Sequence, residues 1–263
     1  MKSNMPPLQD IKALTFDVFG TCVDWRTTVV AEVWASWTSK AESQDLTEPA
    51  REKLKSLMHQ DAEDFAQQWR NSYRKFTSSF VPGETPWKDV DTHHYDSLIL
   101  LLQEWGISEA YSDGESRELS LVWHRLVPWT DSIAGLRRLN AKYTTATLSN
   151  GNQELLKDLN RMLDDGFQLI FSVADFGAYK PNPLVHDGTV SKLGLPPEHV
   201  ALVAAHLGDL KAARGRGMKT IYVERLAEEV YGPEEIEKAR EWVDIWVPLE
   251  EEGFIEVARR LGC

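Results

Sequence analysis

Short apolar runs alternate with amphipathic stretches from residue 127 onward, and this alternation constrains the fold more than any other feature of the chain. The stretches between the runs, such as 153–163 and 209–216, have helical periodicity. The apolar runs lie at 144–148, 169–173, 200–204, 220–223 and 243–247, and a further run at 14–17 lies near the start. Strands that alternate with helices form βαβ units around a parallel sheet. We therefore expect an α/β fold whose sheet is built from both ends of the sequence.

The segment between the first two predicted strands differs in character. Residues 24–126 have few strand-like runs, and aromatic residues recur there at helical steps, as in Phe65, Trp69 and Tyr73. Most of the ten tryptophans fall in this segment, where they either pack helices together or line an apolar pocket. We predict a core domain comprising 1–23 and 127–263, with 24–126 inserted as a helical cap domain over the strand ends.

Charge and hydropathy exclude several classes of partner. The formal net charge is -12, which argues against an electrostatic nucleic-acid footprint. No apolar run approaches the ~18 residues of a membrane-spanning helix, and no signal pattern opens the chain. We expect a soluble, cytoplasmic protein that binds neither nucleic acid nor a membrane. The acidic stretch 228–252 is expected to be a solvated surface.

Polar side chains follow the predicted strands where open α/β sheets bind their ligands. Asp17 ends the first apolar run, Ser149 and Asn150 follow the second, and Lys180 and Asp209 come later. Each alone has a plain alternative: a structural aspartate, an ordinary turn or a solvated surface charge. Their recurrence after successive strands favours one shared site.

Four segments resemble the motifs of the haloacid dehalogenase superfamily: 17–21, 148–151, 179–181 and the region of Asp209. Phosphatases of that superfamily carry a second aspartate at the position of Phe19, and phenylalanine cannot transfer a proton. The run Asp-Val-Phe-Gly-Thr is similar to the Asp-x-Tyr-Gly-Thr of the (S)-2-haloacid dehalogenase (type II) branch. The resemblance implies a Rossmann-like core with a helical cap.

The resemblance also implies roles for individual residues. Asp17 would be the covalent nucleophile, Lys180 would keep it ionised, and Asp209 would position or activate the hydrolytic water. The remaining implied contacts are with substrate or halide, from Thr21, Ser149, Asn150 and, in the Trp-Arg helix of the cap, Arg70.

His186, His206 and Gly208, which replaces a bulky residue, depart from the pattern of this branch, whereas Ala205 departs only from the pattern of the phosphatases. His186 stands where relatives commonly have tyrosine, and His206 replaces an asparagine; both are predicted to line the substrate site. Ala205 replaces the first aspartate of the last motif, and alanine cannot ligate magnesium. The sequence therefore predicts chemistry that needs no metal ion or other cofactor.

These features together predict hydrolytic dehalogenation of short 2-haloalkanoic acids to 2-hydroxy acids through an aspartyl ester on Asp17. The partner would be a small anionic 2-halo acid, and a homodimer is expected because related enzymes are often dimers. Two alternatives stay open at this point: attack on a non-halide electrophilic carbon, such as a strained-ring amino acid, or a non-catalytic scaffold. A magnesium-dependent phosphatase is opposed by Phe19 and Ala205.

Overall fold

The structure, a computed structural model, describes residue 8 and residues 10–263. Residues 1–7 and 9, which belong to the predicted core domain, lie outside the described residues. The chain divides into two compact units. One comprises the described residues up to Asp24 together with Pro128–Cys263, and the other is Trp25–Val127.

The strands and helices follow one another in the order typical of an α/β chain with an insertion. The strands are β1 (Ala13–Phe16), β2 (Val23–Asp24), β3 (Val127–Pro128), β4 (Thr144–Ser149), β5 (Leu169–Ser172), β6 (Val200–Ala204), β7 (Lys219–Val223) and β8 (Ile245–Val247). The helices are α1 (Trp25–Ala41), α2 (Glu48–Lys55), α3 (His59–Ser79), α4 (Val90–Glu104), α5 (Asp113–Ser120), α6 (Ser132–Leu139), α7 (Gln153–Met162), α8 (Pro183–Leu193), α9 (Leu207–Arg214), α10 (Pro233–Ala239) and α11 (Gly253–Arg260).

The first unit contains a six-stranded parallel sheet in the order β5-β4-β1-β6-β7-β8. Its central strands are fully buried and rich in β-branched and aliphatic residues, as strands covered on both faces are. The chain adds β4 and β5 on one side of β1 and then crosses to β6 on the other side. The strand order therefore reverses at β1, and in open α/β sheets such a switch point marks the ligand crevice.

The predicted α/β fold with a parallel-sheet core is confirmed. The predicted boundaries were wrong by one or two residues for every strand of the sheet except 200–204, which matches β6 at both ends. The first strand ends at Phe16, so Asp17 lies just beyond it, and the last begins only at Ile245.

The second unit is helical, and its interior is aromatic. Trp25, Trp37, Trp69 and Trp123 are almost fully buried. Trp69 meets Trp123 edge-on with ring centroids 5.4 Å apart, and Trp37 meets Phe65 in the same way at 5.4 Å. Such pairs add about 0.5–1.5 kcal/mol beyond their burial. For these four tryptophans the structure favours the helix-packing interpretation. No helix among the described residues combines the length and apolarity that a bilayer span requires.

Candidate active site

Asp17 lies at the carboxyl end of β1, the central strand at which the sheet order reverses. Its main-chain N–H donates to the carbonyl oxygen of Val203 at 3.0 Å, which continues the β1–β6 ladder by one residue. The Asp17 side chain is buried and accepts three hydrogen bonds. This position gives the carboxylate a fixed orientation at the edge where ligands bind.

Lys180 contacts one oxygen of this carboxylate. The lysine follows β5 in the loop before α8, and its Nζ donates to Asp17 Oδ1 at 2.8 Å and also to Asp209 Oδ2. Only 5% of the Lys180 side chain is exposed. The Asn150 side chain fixes the loop, because its Oδ1 accepts from the main-chain N–H of Lys180 at 2.9 Å. One ammonium group therefore lies between two carboxylates.

Thr21 and His206 contact the other oxygen. Thr21 Oγ1 donates to Asp17 Oδ2 at 2.7 Å, and it accepts from the main-chain N–H of Ala205 at 2.9 Å. His206 precedes α9, and its Nδ1 lies 3.1 Å from the same Asp17 oxygen. Oδ2 is thus held by two groups, whereas Oδ1 contacts only the lysine among the described residues.

The charges around Asp17 keep it ionised. Burial alone would raise the pKa of Asp17, but the charge of Lys180 and the hydrogen bond and charge of His206 outweigh burial and hold this pKa well below its ordinary value. Burial likewise opposes the charge on Lys180, yet Asp17 and Asp209 raise the pKa of the lysine above its usual range. The pair is an ionised carboxylate beside an ammonium group over the whole physiological pH range.

Glu228 is a site residue that sequence reasoning missed. Its Oε2 lies 3.2 Å from His206 Nε2, and the residue is only 2% exposed. The expectation that all of 228–252 is a solvated surface is therefore wrong at this position. The neighbouring turn explains how the carboxylate fits: Gly20 has φ +81°, and a Cβ there would lie 2.1 Å from Glu228 Oε2. Burial disfavours the imidazolium, but hydrogen bonds and charges from Asp17 and Glu228 raise the pKa of His206 to about 9.

Ser149 and His186 are also buried in this unit. Ser149 ends β4, and its Oγ has no hydrogen-bond partner among the described residues. His186 lies on α8, and burial lowers its pKa, which favours the neutral imidazole at pH 7. Both remain predicted, rather than observed, substrate contacts.

Arg70 belongs to the helical unit. It lies on α3 and is buried, with its guanidinium carbon 4.7 Å from the ring centre of Tyr73 and 5.5 Å from that of Trp25. A cation held against aromatic faces is typical of a fixed rather than a solvated arginine. Its capture of a halide stays a prediction.

The described residues contain no group of three or more His, Cys, Asp or Glu side chains arranged to hold a metal ion.

Comparisons with known proteins identify the family and the fold that this chain resembles. Residues 11–217 match the family model described as haloacid dehalogenase-like hydrolase. The (S)-2-haloacid dehalogenase 1 of Pseudomonas sp. (strain CBS-3) is 27% identical over 83% of this chain and 87% of its own length. Among solved structures, a defluorinating L-2-haloacid dehalogenase is 30% identical, with a TM-score of 0.76 and coverage of 96% of both chains. Another L-2-haloacid dehalogenase is 32% identical, with a TM-score of 0.75, covering 96% of this chain and 99% of its own.

Proposed function

This chain belongs to the haloacid dehalogenase-like hydrolases, and from that premise we propose that it hydrolyses short 2-haloalkanoic acids to 2-hydroxy acids through an ester on Asp17. The main support for this proposal is the environment of Asp17. A buried carboxylate is held ionised beside Lys180 at the switch point of the sheet, and the buried, apolar Phe19 follows two residues later.

The first step needs an ionised nucleophile and no general acid. Asp17 attacks C2 of the substrate in line with the carbon–halogen bond, so the configuration at C2 inverts and halide leaves as an anion. Halide needs no proton, which is consistent with Phe19 in place of a proton donor. Lys180 favours the ionised form of Asp17 that this attack requires.

The second step returns Asp17 to its starting state. Water attacks the carbonyl carbon of the aspartyl ester, and Asp209 accepts a proton from that water. The oxygen of Asp17 that formed the ester departs with the 2-hydroxy acid. Two moderate steps replace one difficult displacement, which is the advantage of covalent catalysis.

Recognition of the substrate is assigned to the remaining predicted residues. Ser149, whose buried Oγ lacks a protein partner among the described residues, would bind the substrate carboxylate. Asn150 and Arg70 would receive the halide, and the neutral His186 would line the site. The helical segment 24–126 would act as the cap domain that carries Arg70.

The chemistry is proposed to need no metal ion or other cofactor. Ala205 supplies no oxygen ligand at the position where magnesium-dependent relatives have an aspartate. The Lys180 ammonium lies between Asp17 and Asp209 and offsets one of their two negative charges. A cytoplasmic location and a homodimer also stay predictions.

Halide release tests the proposal. Both enantiomers of 2-chloropropionate, and 2-bromopropionate, are incubated with the protein in EDTA, alongside Asp17→Ala and the control Asp187→Asn. Asp187 is a half-exposed carboxylate on α8 that pairs with the exposed Arg216, so its variant should match the wild type. We expect release by the wild type and Asp187→Asn but not by Asp17→Ala. No release from folded wild-type protein would refute the function, and release only after magnesium is added would refute metal independence.

A further inference from the structure

The two oxygens of Asp17 have unequal environments. Oδ1 receives one donor, Lys180 Nζ, whereas Oδ2 receives Thr21 Oγ1 at 2.7 Å and His206 Nδ1 at 3.1 Å. The Ala205 N–H occupies a lone pair of the Thr21 hydroxyl, which directs the threonine proton towards Asp17. Oδ2 is therefore the more strongly held oxygen, and Oδ1 is the freer one to attack a substrate.

His206 contacts a carboxylate at each ring nitrogen. Nδ1 faces Asp17, and Nε2 lies 3.2 Å from Glu228 Oε2. An ionised carboxylate only accepts hydrogen bonds, so both nitrogens must carry protons for both bonds to form, and the ring is an imidazolium. Other charged groups nearby include Lys180, on the far oxygen of Asp17, and Asp209, which binds that lysine. Glu229 binds the main-chain N–H of Leu207.

We propose that His206 and Thr21 form the oxyanion hole for hydrolysis of the Asp17 ester, with Oδ1 as the attacking oxygen and Glu228 as the residue that positions His206. The inference rests on the proposed function, because it concerns the second step of that reaction. It assigns to His206 a contact with the reacting atoms rather than with the substrate's own groups, and to the buried Glu228 a role in catalysis.

The in-line geometry of the substitution excludes a role for His206 in halide departure. In an in-line attack the halide leaves from the side of C2 opposite Oδ1, whereas His206 is bound to the second oxygen of the nucleophile itself. When Oδ1 forms the ester, Oδ2 becomes the ester carbonyl oxygen and keeps its two donors. The imidazolium is thus placed for the step in which Oδ2 gains negative charge.

Hydrolysis of the ester has two stages, addition of water to Cγ and collapse of the tetrahedral intermediate. The water oxygen bonds to Cγ, the carbonyl electron pair moves onto Oδ2, and the water gives one proton to Asp209. The tetrahedral intermediate collapses, the Cγ–Oδ1 bond breaks, and the departing alkoxide takes the proton from Asp209. The product is a 2-hydroxy acid, and the new Asp17 carboxyl group releases its remaining proton to solvent. His206 donates a hydrogen bond throughout and transfers no proton.

The first test separates the two steps. Removing one oxyanion donor typically slows a reaction by about 10²–10³-fold, so His206→Ala should slow ester hydrolysis by that factor. Rapid mixing with 2-bromopropionate should then give a burst of one halide per site, and the ester should accumulate in acid-quenched samples analysed by intact mass. His206→Asn keeps a neutral donor and should restore much of the lost rate. Slower halide release in the burst with no accumulated ester would overturn the inference.

The second test uses the pH dependence of ester hydrolysis, measured with His206 in place and compared with His206→Asn. Loss of the imidazolium proton should slow ester hydrolysis as pH rises, and this alkaline limb should vanish in His206→Asn. Glu228→Gln removes a charge that favours the imidazolium, so in this variant the rate of ester hydrolysis should begin to fall at a lower pH. Glu229→Gln is the matched control, because that carboxylate binds the main-chain nitrogens of Leu207, Val230 and Tyr231 instead. Equal limbs in the Glu228 and Glu229 variants would overturn the positioning role.

The third measurement stands apart from the proposed function. Protein with isotope-labelled histidines is titrated without substrate and followed by NMR. The His206→Asn variant identifies the resonance of the His206 ring. The ring should be doubly protonated at pH 7.5 and lose its proton near pH 9, and this value should fall in Asp17→Asn. Absence of halide release with this titration intact would refute the dehalogenase function alone. A His206 that titrates at or below its ordinary value would overturn the oxyanion role whatever substrate is turned over.

Discussion

Replacing Lys180 by methionine removes the positive charge that two buried carboxylates share. The substitution keeps the length and most of the apolar volume of the side chain, so the loss is chiefly electrostatic. Lys180 Nζ lies 2.8 Å from Asp17 Oδ1 and also binds Asp209 Oδ2, with 9% and 12% of those carboxylate side chains exposed. The variant leaves both of them without this cation.

Breaking a buried ion pair by removing one partner costs about 3–5 kcal/mol. His206 remains beside Asp17 and moderates the loss there, which places the expected drop in the free energy of unfolding near the lower end of this range. Lys192→Met is the matched control in the same unit, because Lys192 is 44% exposed and pairs with Asp175 at 3.0 Å. An exposed pair of that kind is worth about 0–1 kcal/mol.

The difference between the two variants should depend on pH. In the wild type the pKa of Asp17 is lower in the folded state than in the unfolded state. The ionised carboxylate therefore contributes fully to the free energy of unfolding at pH values above the unfolded-state pKa. This contribution is lost as the pH falls through the folded-state pKa. Without Lys180 the buried carboxylates bind protons more readily in the folded state. The penalty of Lys180→Met should therefore be largest near pH 8 and smaller near pH 5, and the penalty of Lys192→Met should change little.

Urea unfolding followed by circular dichroism at both pH values gives the free energies. Repeating Lys180→Met in an Asp17→Asn background should reduce its penalty by about 0.5–3 kcal/mol, since the uncompensated charge is then absent. Equal penalties for the Lys180 and Lys192 variants at pH 8, or a penalty unaffected by Asp17→Asn, would refute the electrostatic account of the site.

Two further predictions follow from the glycine turn and from the helical unit. Gly20→Ala should destabilise the protein by about 1–3 kcal/mol more than Gly194→Ala. Both glycines have positive φ, but only a Cβ at position 20 would overlap Glu228. Equal losses of unfolding free energy in urea would contradict this. Arg70→Met should raise KM for 2-chloropropionate and lower kcat, whereas Arg74→Met, half-buried one turn further along α3, should change neither by more than about threefold. Steady-state halide release measures both, and equal effects would refute the halide role of Arg70.

The fold could be predicted from the sequence because its central strands are buried on both faces and are rich in apolar and β-branched residues, as at 200–204. The run at 243–247 was harder to delimit, since Val243 and Asp244 precede the strand and the Asp244 side chain instead binds the N–H and hydroxyl of Thr220. Periodicity does not show such a local side-chain contact, so boundaries are less certain than elements.

The site was predictable where a polar residue follows a strand directly. Asp17 is of this kind, whereas Lys180 lies further along, in the loop between β5 and α8, and its place in the site was implied by the motif resemblance. The two side chains meet across 163 positions of sequence. Glu228 gave no such signal, because it opens a stretch rich in carboxylates, and its position between His206 and the Gly20 turn is not visible in the sequence pattern. A contact of this type depends on how two loops fold back on the sheet, which the pattern of one sequence does not encode.

The most direct test of the central claim follows the oxygen atom in a single turnover. Protein in excess over (S)-2-bromopropionate reacts once in ¹⁸O-labelled water, and the product and the peptide containing Asp17 are analysed by mass. An aspartyl ester predicts that the product carries unlabelled oxygen from Asp17 and that the label enters Asp17. Label in the 2-hydroxy acid, with none in Asp17, would mean that water attacks C2 directly and would contradict the account.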